Sequence, residues 1–477
     1  MDRSLLKQLL VGVFAACTIA LGCAADKRRS PPDYESLSFE DTISWPKPEV
    51  ATFTLQNGIR CLLIEEKDLP LIEVYVTVRS GEFLVSANRT GLAEITGMVM
   101  RSGGSERYPT EKLNRLLAGK AAQMETAFGF ISGSARMNIL REDFKTLLPV
   151  FVDLLKQPVF PEDKVKLAKQ QLKARIARRN DEQSSIAMRT YRRLIYGPDS
   201  VYAREPEYET VEGISREDLV DFHRRAYQGA NLMVGMVGDF DSETILPIIE
   251  KAFSVFPSGE KINIELPCVD RSEEVSFYVV EKGDVNQSYL LMGHLGGWRQ
   301  DPDYAAIQVM NRILSGGFSG RLFEKVRTQR GLAYSVFGQY GCNFFYPGIF
   351  FVGLSTRTAA TAEGVTVVKS VLEGLHQQVG AVELEQAKEQ FFSSLVFRYD
   401  QAGEILERRM YYAYRDMDEE SFQKLIQEIR EVTSRDVLRV AREYLRPDGL
   451  TVLSVGEEEK LVEQLQTLGD VAVLPQP

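Results

Sequence analysis

The stretch Ile214-Ser215-Arg216-Glu217-Asp218-Leu219, which leads into Val237-Gly238, has a close counterpart near the end of the chain. The counterpart is Val432-Thr433-Ser434-Arg435-Asp436-Val437, which leads into Val455-Gly456. The two copies lie 218 residues apart and align without a gap. Each has Ser or Thr three residues before Asp, the spacing of a helix-capping box, and each ends in an apolar strand closed by glycine. This agreement in order and spacing predicts a duplicated domain; the alternative is chance similarity between two α/β segments.

The duplication divides the chain into two α+β domains, at residues 51–258 and 275–470, joined by a linker at 259–274. Within the first domain, Asn57-Gly58 predicts a hairpin turn, and residues 72–78 alternate as in a strand. Apolar periodicity predicts helices at residues 91–101, 142–155, 161–179 and 216–227. Pro161, followed by two acidic residues, is typical of a helix start.

Composition restricts the classes of function. The 477 residues include 57 Lys and Arg against 67 Asp and Glu, a net charge of −10, with 44% hydrophobic residues. This balance excludes wholesale disorder and argues against nucleic acid as the main partner. The three histidines, His223, His294 and His376, are far apart in sequence, so a mechanism built on a histidine cluster is disfavoured. We expect His294 and His376 to be structural.

Residues 1–25 are typical of a secretory signal, with Arg3 and Lys7 before an apolar run that is too short to span a bilayer stably. Ala20-Leu21-Gly22-Cys23 resembles a bacterial lipobox, in which the cysteine is acylated. We therefore predict lipidation at Cys23, a tether at residues 26–50, and a periplasm-facing lipoprotein of the outer rather than the inner membrane. The alternative is cleavage after Ala24 or Ala25, which would release a soluble periplasmic protein.

Once the predicted signal is removed, three cysteines remain besides Cys23: Cys61, Cys268 and Cys342 are widely spaced and do not suggest a disulfide framework. Cys61 falls in an apolar strand pattern, which predicts a packing role.

Several motifs together resemble one known family. They are the Asn57-Gly58 hairpin, the strand end Ser80-Gly81, the helix start Gly91-Leu92-Ala93, and the stretch from Phe323 to Val336. They resemble the insulinase/pitrilysin-like zinc peptidases, also called inverzincins, over about residues 45 to 470. The resemblance implies two duplicated domains, each a mostly antiparallel sheet packed with helices, which together form one half of a clam shell.

The zinc motif of that family, H-x-x-E-H, is degenerate in this chain. Its two histidines, one helical turn apart, hold zinc, and the glutamate activates water. By resemblance, Glu94 stands in place of the first histidine, Gly97 in place of the glutamate and Met98 in place of the second histidine. The third ligand would fall near Ala174-Arg175, where there is no carboxylate. We therefore expect no metal or other cofactor in this chain, with Glu94 as a solvated helix residue and Met98 as a packing residue.

Two rebuilt metal sites remain as alternatives. One would combine Glu94 with His223, and the other would be an unorthodox site in a homodimer. Catalytic zinc needs three converging protein ligands, and the motif positions supply only one.

The second signature of the family is intact. The resemblance gives Arg327 and Tyr334, on a helix end and the following loop, the role of holding the substrate carbonyl, and both can donate to an oxyanion. In some bacterial members the zinc and this pair reside on different subunits. The chain, inactive alone, would then be the non-zinc subunit of a heterodimeric peptidase, with zinc only in the partner and peptides as substrates. Taken singly, the arginine would be a surface residue and the tyrosine a core residue.

A rival interpretation is a non-catalytic peptide-binding or scaffold protein of the bacterial envelope. Family members hold peptides by strand addition to an edge strand, and the matching residues here are Gln123, Met124 and Glu125. The alternative for these residues is an ordinary sheet strand. The glycine-rich stretch from Gly316 to Gly320 lacks the Lys-Ser/Thr ending of a phosphate loop, which favours a bend where chains approach closely.

Overall fold

The computed structural model describes residues 48–269, 276–396 and 398–477. The predicted signal, Cys23 and nearly all of the predicted tether lie outside the described residues, as does the end of the linker. Among the described residues, no helix is both long enough and apolar enough to cross a membrane.

Fourteen strands form two large sheets and one small ribbon in the described part of the chain. The strands are β1 Ala51–Thr54, β2 Arg60–Glu65, β3 Leu71–Val78, β4 Gln123–Phe128, β5 Gly133–Leu140, β6 Leu232–Gly238, β7 Ser276–Glu281, β8 Gln287–Leu295, β9 Gly297–Trp298, β10 Ala333–Tyr340, β11 Cys342–Asn343, β12 Ile349–Arg357, β13 Thr451–Gly456 and β14 Val471–Leu474.

Helices cover these sheets. They are α1 Leu92–Gly103, α2 Thr110–Gly119, α3 Phe144–Lys156, α4 Glu162–Ala177, α5 Gln183–Tyr196, α6 Tyr208–Gly213, α7 Arg216–Ala226, α8 Ser242–Phe253, α9 Tyr304–Ser315, α10 Thr361–Gln377, α11 Ala381–Val396, α12 Ala402–Tyr414, α13 Glu420–Glu431, α14 Ser434–Tyr444 and α15 Glu458–Leu465. The predicted strand at 72–78 and the four predicted helices are confirmed to within a few residues of each end.

The two large sheets share one topology. The first has the order β4-β5-β3-β6-β2-β1 and the second β10-β12-β8-β13-β7-β14. Counted from β4 in the first sheet and from β10 in the second, the first three strand pairs are antiparallel. The fourth pair is parallel: β6 with β2 in the first sheet and β13 with β7 in the second. The sheets differ at the far edge, where β1 is antiparallel to β2 but β14 is parallel to β7. The α+β class and the duplication are thereby confirmed.

The repeated sequence forms the same unit twice. Ser215 accepts a hydrogen bond from the Asp218 N–H and the Asp218 carboxylate accepts one from the Ser215 N–H, so helix α7 begins in a capping box. Thr433 and Asp436 start α14 in the same way. Each helix leads into a fully buried strand, β6 or β13. Local capping chemistry therefore fixes equivalent helix starts 218 residues apart.

Each half contributes one helix to the sheet of the other half. Helix α5 packs on β8 and β13, and Gln183 donates to the carbonyls of Gln287 and Val455. Helix α12 packs on β2, β3 and β6 so closely that a Cβ on Gly235 would lie 2.3 Å from Met410 Sδ. The two halves are thus joined by reciprocal helix packing, which the linear ranges 51–258 and 275–470 did not include.

The predicted hairpin at Asn57-Gly58 is present between β1 and β2. Gly58 has a φ of +90°, a conformation that glycine adopts without a Cβ penalty. Cys61, in β2, is fully buried in the core of the first half, and burial raises the pKa of its thiol to about 12. The predicted packing role of Cys61 is confirmed. Cys268 and Cys342 are free thiols, like Cys61.

Candidate functional site

Helix α1 carries the positions of the degenerate zinc motif, and its start is fixed by Glu82. Gly91, with a φ of +102°, turns the chain into the helix. The Glu82 carboxylate accepts hydrogen bonds from the Gly91 and Ala93 N–H groups, at 2.6 and 3.2 Å. Burial raises the pKa of Glu82 to about 7, against the opposing effect of these two N–H donors, and the nearby Glu94 carboxylate adds to the rise. Glu82 was missed by sequence reasoning because it precedes the helix by ten residues and belongs to no capping pattern.

Glu94 is held by an ion pair. Arg175 Nη2, on α4, donates to both carboxylate oxygens of Glu94, at 2.5 and 2.6 Å. The expectation of a simply solvated Glu94 is wrong, because the side chain is only partly exposed and its charge is matched by Arg175. The structure thus brings together the positions that the resemblance assigns to the first and third metal ligands.

Gly97 is required by close packing between α1 and β4. An added Cβ would lie 2.8 Å from Ala127 Cα and 2.8 Å from Phe128 N, closer than a Cβ approaches backbone. Thr126 Oγ1 donates to the Gly97 carbonyl at 2.7 Å, which fixes the same contact. A glutamate at this position would need the helix and the strand to move apart.

Met98 is partly buried against the core of the first half, as expected for a packing residue. The donors available at the three motif positions and at Arg175 are therefore one carboxylate that already pairs with a cation, a glycine, a thioether and a guanidinium. These residues do not fit a zinc ion. Within residues 48–269, 276–396 and 398–477, no three His, Cys, Asp or Glu side chains are grouped so as to hold a metal.

His223 and His294 form their hydrogen bonds with residues outside the degenerate zinc motif of α1. His223 Nε2 is 2.8 Å from the Leu155 carbonyl, and its ring stacks on Tyr227. Burial lowers the pKa of His223 to about 4, so the ring is neutral and committed to the core. The alternative that His223 joins Glu94 in a metal site therefore has no support in its contacts. His294 is buried and bonds through both ring nitrogens, to the Leu295 carbonyl and the Arg446 N–H, as a structural histidine should.

Arg327 lies between two aromatic rings. Its guanidinium carbon is 4.7 Å from the ring centroid of Tyr334 and 4.6 Å from that of Phe323. Arg327 belongs to a π-helical turn, Phe323–Thr328, a form that is frequent at functional sites. Phe323 was missed at the sequence level, although its four-residue spacing from Arg327 is a usable signal.

Tyr334 lies in strand β10, at the edge of the second sheet, and not in a loop as expected. The pairing of β10 with β12 shifts between Ala333 and Val336, which places Tyr334 in a β-bulge. A bulge re-aims side chains, and Tyr334 is 84% exposed. The phenol of Tyr334 is therefore presented to solvent, and the half-buried guanidinium of Arg327 lies beside it. In the described part of the chain, no hydrogen bond or ion pair connects this pair to Glu94 or Arg175.

Strand β4, which contains Gln123, Met124 and Glu125, is the edge strand of the first sheet. Gln123 and Glu125 are exposed and Met124 is buried. Arg101 Nε donates to the Met124 carbonyl at 2.6 Å, so one main-chain acceptor of this strand is already occupied. The strand is thus placed for strand addition, which stays a prediction. Strand β10 occupies the equivalent edge of the second sheet.

Comparisons with known proteins agree with this geometry. The family model described as the peptidase M16 inactive domain matches residues 213–391. A Helicobacter pylori protein named non-peptidase homolog YmxG is 25% identical, over 85% of this chain and 93% of its own length. A Bacillus subtilis protein named uncharacterized zinc protease YmxG is 22% identical, over 84% of this chain and 96% of its own length.

Solved structures share the fold. A peptidase M16 inactive domain from Pseudomonas fluorescens superposes with a TM-score of 0.77 at 23% identity, covering 86% of this chain and 98% of that one. The periplasmic protease PqqL from Escherichia coli superposes with a TM-score of 0.72 at 15% identity. The match covers 88% of this chain but only 49% of the PqqL chain.

These findings confirm the resemblance and define its class: the chain is similar to the insulinase-like peptidases of the M16 family, whose inactive-domain model matches residues 213–391. More particularly, it has the fold of the inactive M16 domain, which is consistent with a non-catalytic subunit.

Proposed function

We propose that the chain is the zinc-free subunit of a heterodimeric insulinase-like peptidase and supplies Arg327 and Tyr334 to a zinc-bearing partner. The observation that carries the proposal is the contrast between the two signature sites. The first is filled by the Glu94–Arg175 ion pair and the close-packed Gly97, whereas the second presents an exposed phenol beside a half-buried guanidinium.

The chemistry of the pair fits this role. A peptide carbonyl under attack becomes an oxyanion, which a guanidinium and a phenol O–H stabilise by donating hydrogen bonds. The side chain of Arg327 is in ring contact on two sides, which limits its rotamers, and forms no ion pair in the described residues. Its charge is therefore available to a substrate held by another subunit.

Co-purification of the full chain from its native envelope tests the assembly. We expect a stoichiometric insulinase-like partner with an intact H-x-x-E-H motif, and hydrolysis of short unfolded peptides by the pair but by neither subunit alone. Recovery of no such partner would count against a heterodimer.

Substitutions then test the roles of the two residues. Arg327→Ala and Tyr334→Phe should each lower turnover of the reconstituted pair, with about a hundredfold loss expected for a lost oxyanion donor, and leave assembly unchanged. Arg435→Ala and Tyr208→Phe, at exposed positions elsewhere, are matched controls. Normal turnover in both test variants would reject the role in trans.

The second candidate function is peptide binding or scaffolding without catalysis, favoured by the edge position of β4. Hydrogen exchange of residues 123–128 with and without an unfolded peptide tests it. Protection of these amides in the isolated chain, with no hydrolysis in any reconstituted pair, would favour this function over the first.

For localisation we propose a periplasm-facing lipoprotein of the outer membrane, anchored at Cys23. The support is the lipobox-like sequence Ala20-Leu21-Gly22-Cys23. Cys23→Ser should move the protein from the membrane fraction to the soluble fraction, with Cys268→Ser as the control. Membrane attachment that persists in Cys23→Ser would contradict lipidation at this residue.

A further inference from the structure

A cavity in the second half of the molecule is lined mainly by cationic and aromatic side chains. It has a volume of about 490 Å³, and α9, α11, α12 and α13 contribute to its wall. Four arginines and four tyrosines line it, against two carboxylates, Glu404 and Glu407. The arginines are Arg299, Arg312, Arg398 and Arg408. This excess of positive charge contrasts with the net charge of −10 of the whole chain.

Three of the arginines lack a carboxylate partner. Arg408 pairs with Glu419 at 2.8 Å, and Glu407 is engaged by Arg136 outside the cavity. Arg299 instead stacks on Tyr304, 3.4 Å from its ring centroid, and Arg312 donates to Ser394 Oγ at 3.3 Å. Among the described residues, Arg299, Arg312 and Arg398 form no ion pair.

Two of these arginines, Arg312 and Arg398, also repel each other. Arg312 is half-buried, and burial together with the neighbouring charge of Arg398 lowers its pKa. An arginine stays charged in a protein, so an anion beside Arg312 would relieve the cost of burying its cation. Neither arginine receives that anion from the described residues.

An independent observation also indicates that the cavity suits a polar ligand. Arg408 is 8% exposed, and its Nε–H lacks a hydrogen-bond partner in the described structure. Glu404 Oε2, in the same wall, is also buried without a partner. Buried donors and acceptors are nearly always satisfied, so each such atom marks a place where a polar group is expected.

We propose that this cavity binds a small organic oxyanion, a molecule with phosphoryl or carboxyl groups, between Arg312, Arg398 and Arg408. Guanidinium groups match both kinds of oxyanion in a planar fork, and the tyrosine hydroxyls add donors. The volume lies within the range of small-molecule sites. Glu404 would accept a hydrogen bond from a hydroxyl or amino group of the same ligand.

The test uses the full chain with pyrophosphate and citrate as probes, titrated calorimetrically at low ionic strength. We expect saturable one-to-one binding of at least one probe. Arg312→Gln and Arg398→Gln should weaken it about tenfold or more, because hydrogen bonds to charged groups are among the stronger ones. Arg435→Gln, an exposed arginine on α14, is the matched control and should bind as the wild type does.

The sign of a further variant distinguishes binding in the cavity from binding elsewhere. Glu404→Gln removes a negative charge from the wall and should tighten binding of either probe. Stronger binding of pyrophosphate assigns a phosphoryl ligand, and stronger binding of citrate a carboxyl ligand. Absence of saturable binding of both probes, or an equal loss in Arg435→Gln, would overturn the proposal. If Arg312→Gln does not fold, Arg398→Gln decides alone, because this side chain is exposed.

Discussion

Arg175 on α4 donates through one nitrogen to both oxygens of Glu94 on α1, at 2.5 and 2.6 Å. The resemblance assigns these two positions to metal ligands of the active peptidases. In this chain an ion pair therefore connects the two helices that zinc would connect. The presence of Arg175 agrees with the loss of the metal site, because its cation neutralises Glu94, the one remaining carboxylate that could bind a metal.

Replacement of Arg175 by Met should not create a zinc site. The variant leaves one carboxylate, and catalytic zinc needs three converging protein ligands. We expect no stoichiometric zinc in the wild type or in the variant after equilibrium dialysis, measured by elemental analysis. One tightly bound Zn²⁺ per chain in the wild type would overturn the assignment of this site.

The same variant also tests how much the ion pair stabilises the fold. The side chains are 32% and 60% exposed for Glu94 and Arg175, so water screens the interaction. We expect a loss of at most about 1 kcal/mol in the free energy of unfolding, measured in urea. Lys261→Met, which breaks the exposed pair with Asp416, is a control of similar size.

Gly97→Ala should destabilise the fold even though alanine favours helices. The added Cβ would meet the backbone of Ala127 and Phe128 at 2.8 Å, and backbone in a sheet yields less easily than a side-chain end. We expect a loss of about 1–3 kcal/mol, typical of overpacking. Gly119→Ala, where the added Cβ has open space, should not lose stability. Equal stability of Gly97→Ala and wild type would show that the contact between α1 and β4 does not require glycine at this position.

Much of the fold could be predicted because its signals are local. The capping residues Ser215 and Thr433 and the glycine turn at Gly58 lie beside the elements they define. The exchange of α5 and α12 between the halves could not be predicted. The apolar face of a helix shows that it is buried but does not show which sheet covers it.

The candidate sites were likewise predictable only where their signals are local in sequence. The sequence contained Arg327, Tyr334 and the degenerate positions Glu94, Gly97 and Met98. The bulge that exposes Tyr334 and the contact of Arg101 with β4 depend on sheet register and tertiary distance. Neither leaves a pattern in the sequence.

Tyr334→Phe should leave the isolated chain as stable as the wild type. Tyr334 is 84% exposed, and its hydroxyl has no hydrogen-bond partner among the described residues. We expect a change within about 0.5 kcal/mol in the free energy of unfolding. The matched control is Tyr196→Phe, which removes a buried hydroxyl that donates to the Pro347 carbonyl at 2.8 Å and should cost about 1 kcal/mol. A similar loss in both variants would indicate that Tyr334 serves the fold and not a partner.

His223 should make the stability depend on pH between about 4 and 6.5. Its pKa is about 4 in the folded chain and near the ordinary value of 6.5 when unfolded, so the unfolded state binds more protons within this window. The free energy of unfolding should therefore decrease, by on the order of 3 kcal/mol, as pH falls from 6.5 toward 4. This contribution is fully present above pH 6.5.

A comparison of variants separates the effect of His223 on the pH dependence of stability from that of Glu82. The raised pKa of Glu82 acts in the opposite direction, because its folded carboxyl holds a proton up to about pH 7, and stability from this group is lost as pH rises. His223→Gln keeps a donor for the Leu155 carbonyl and should flatten the slope below pH 6.5 relative to the wild type. Urea unfolding at a series of pH values measures both slopes, and equal slopes in wild type and His223→Gln would show that His223 is protonated without unfolding.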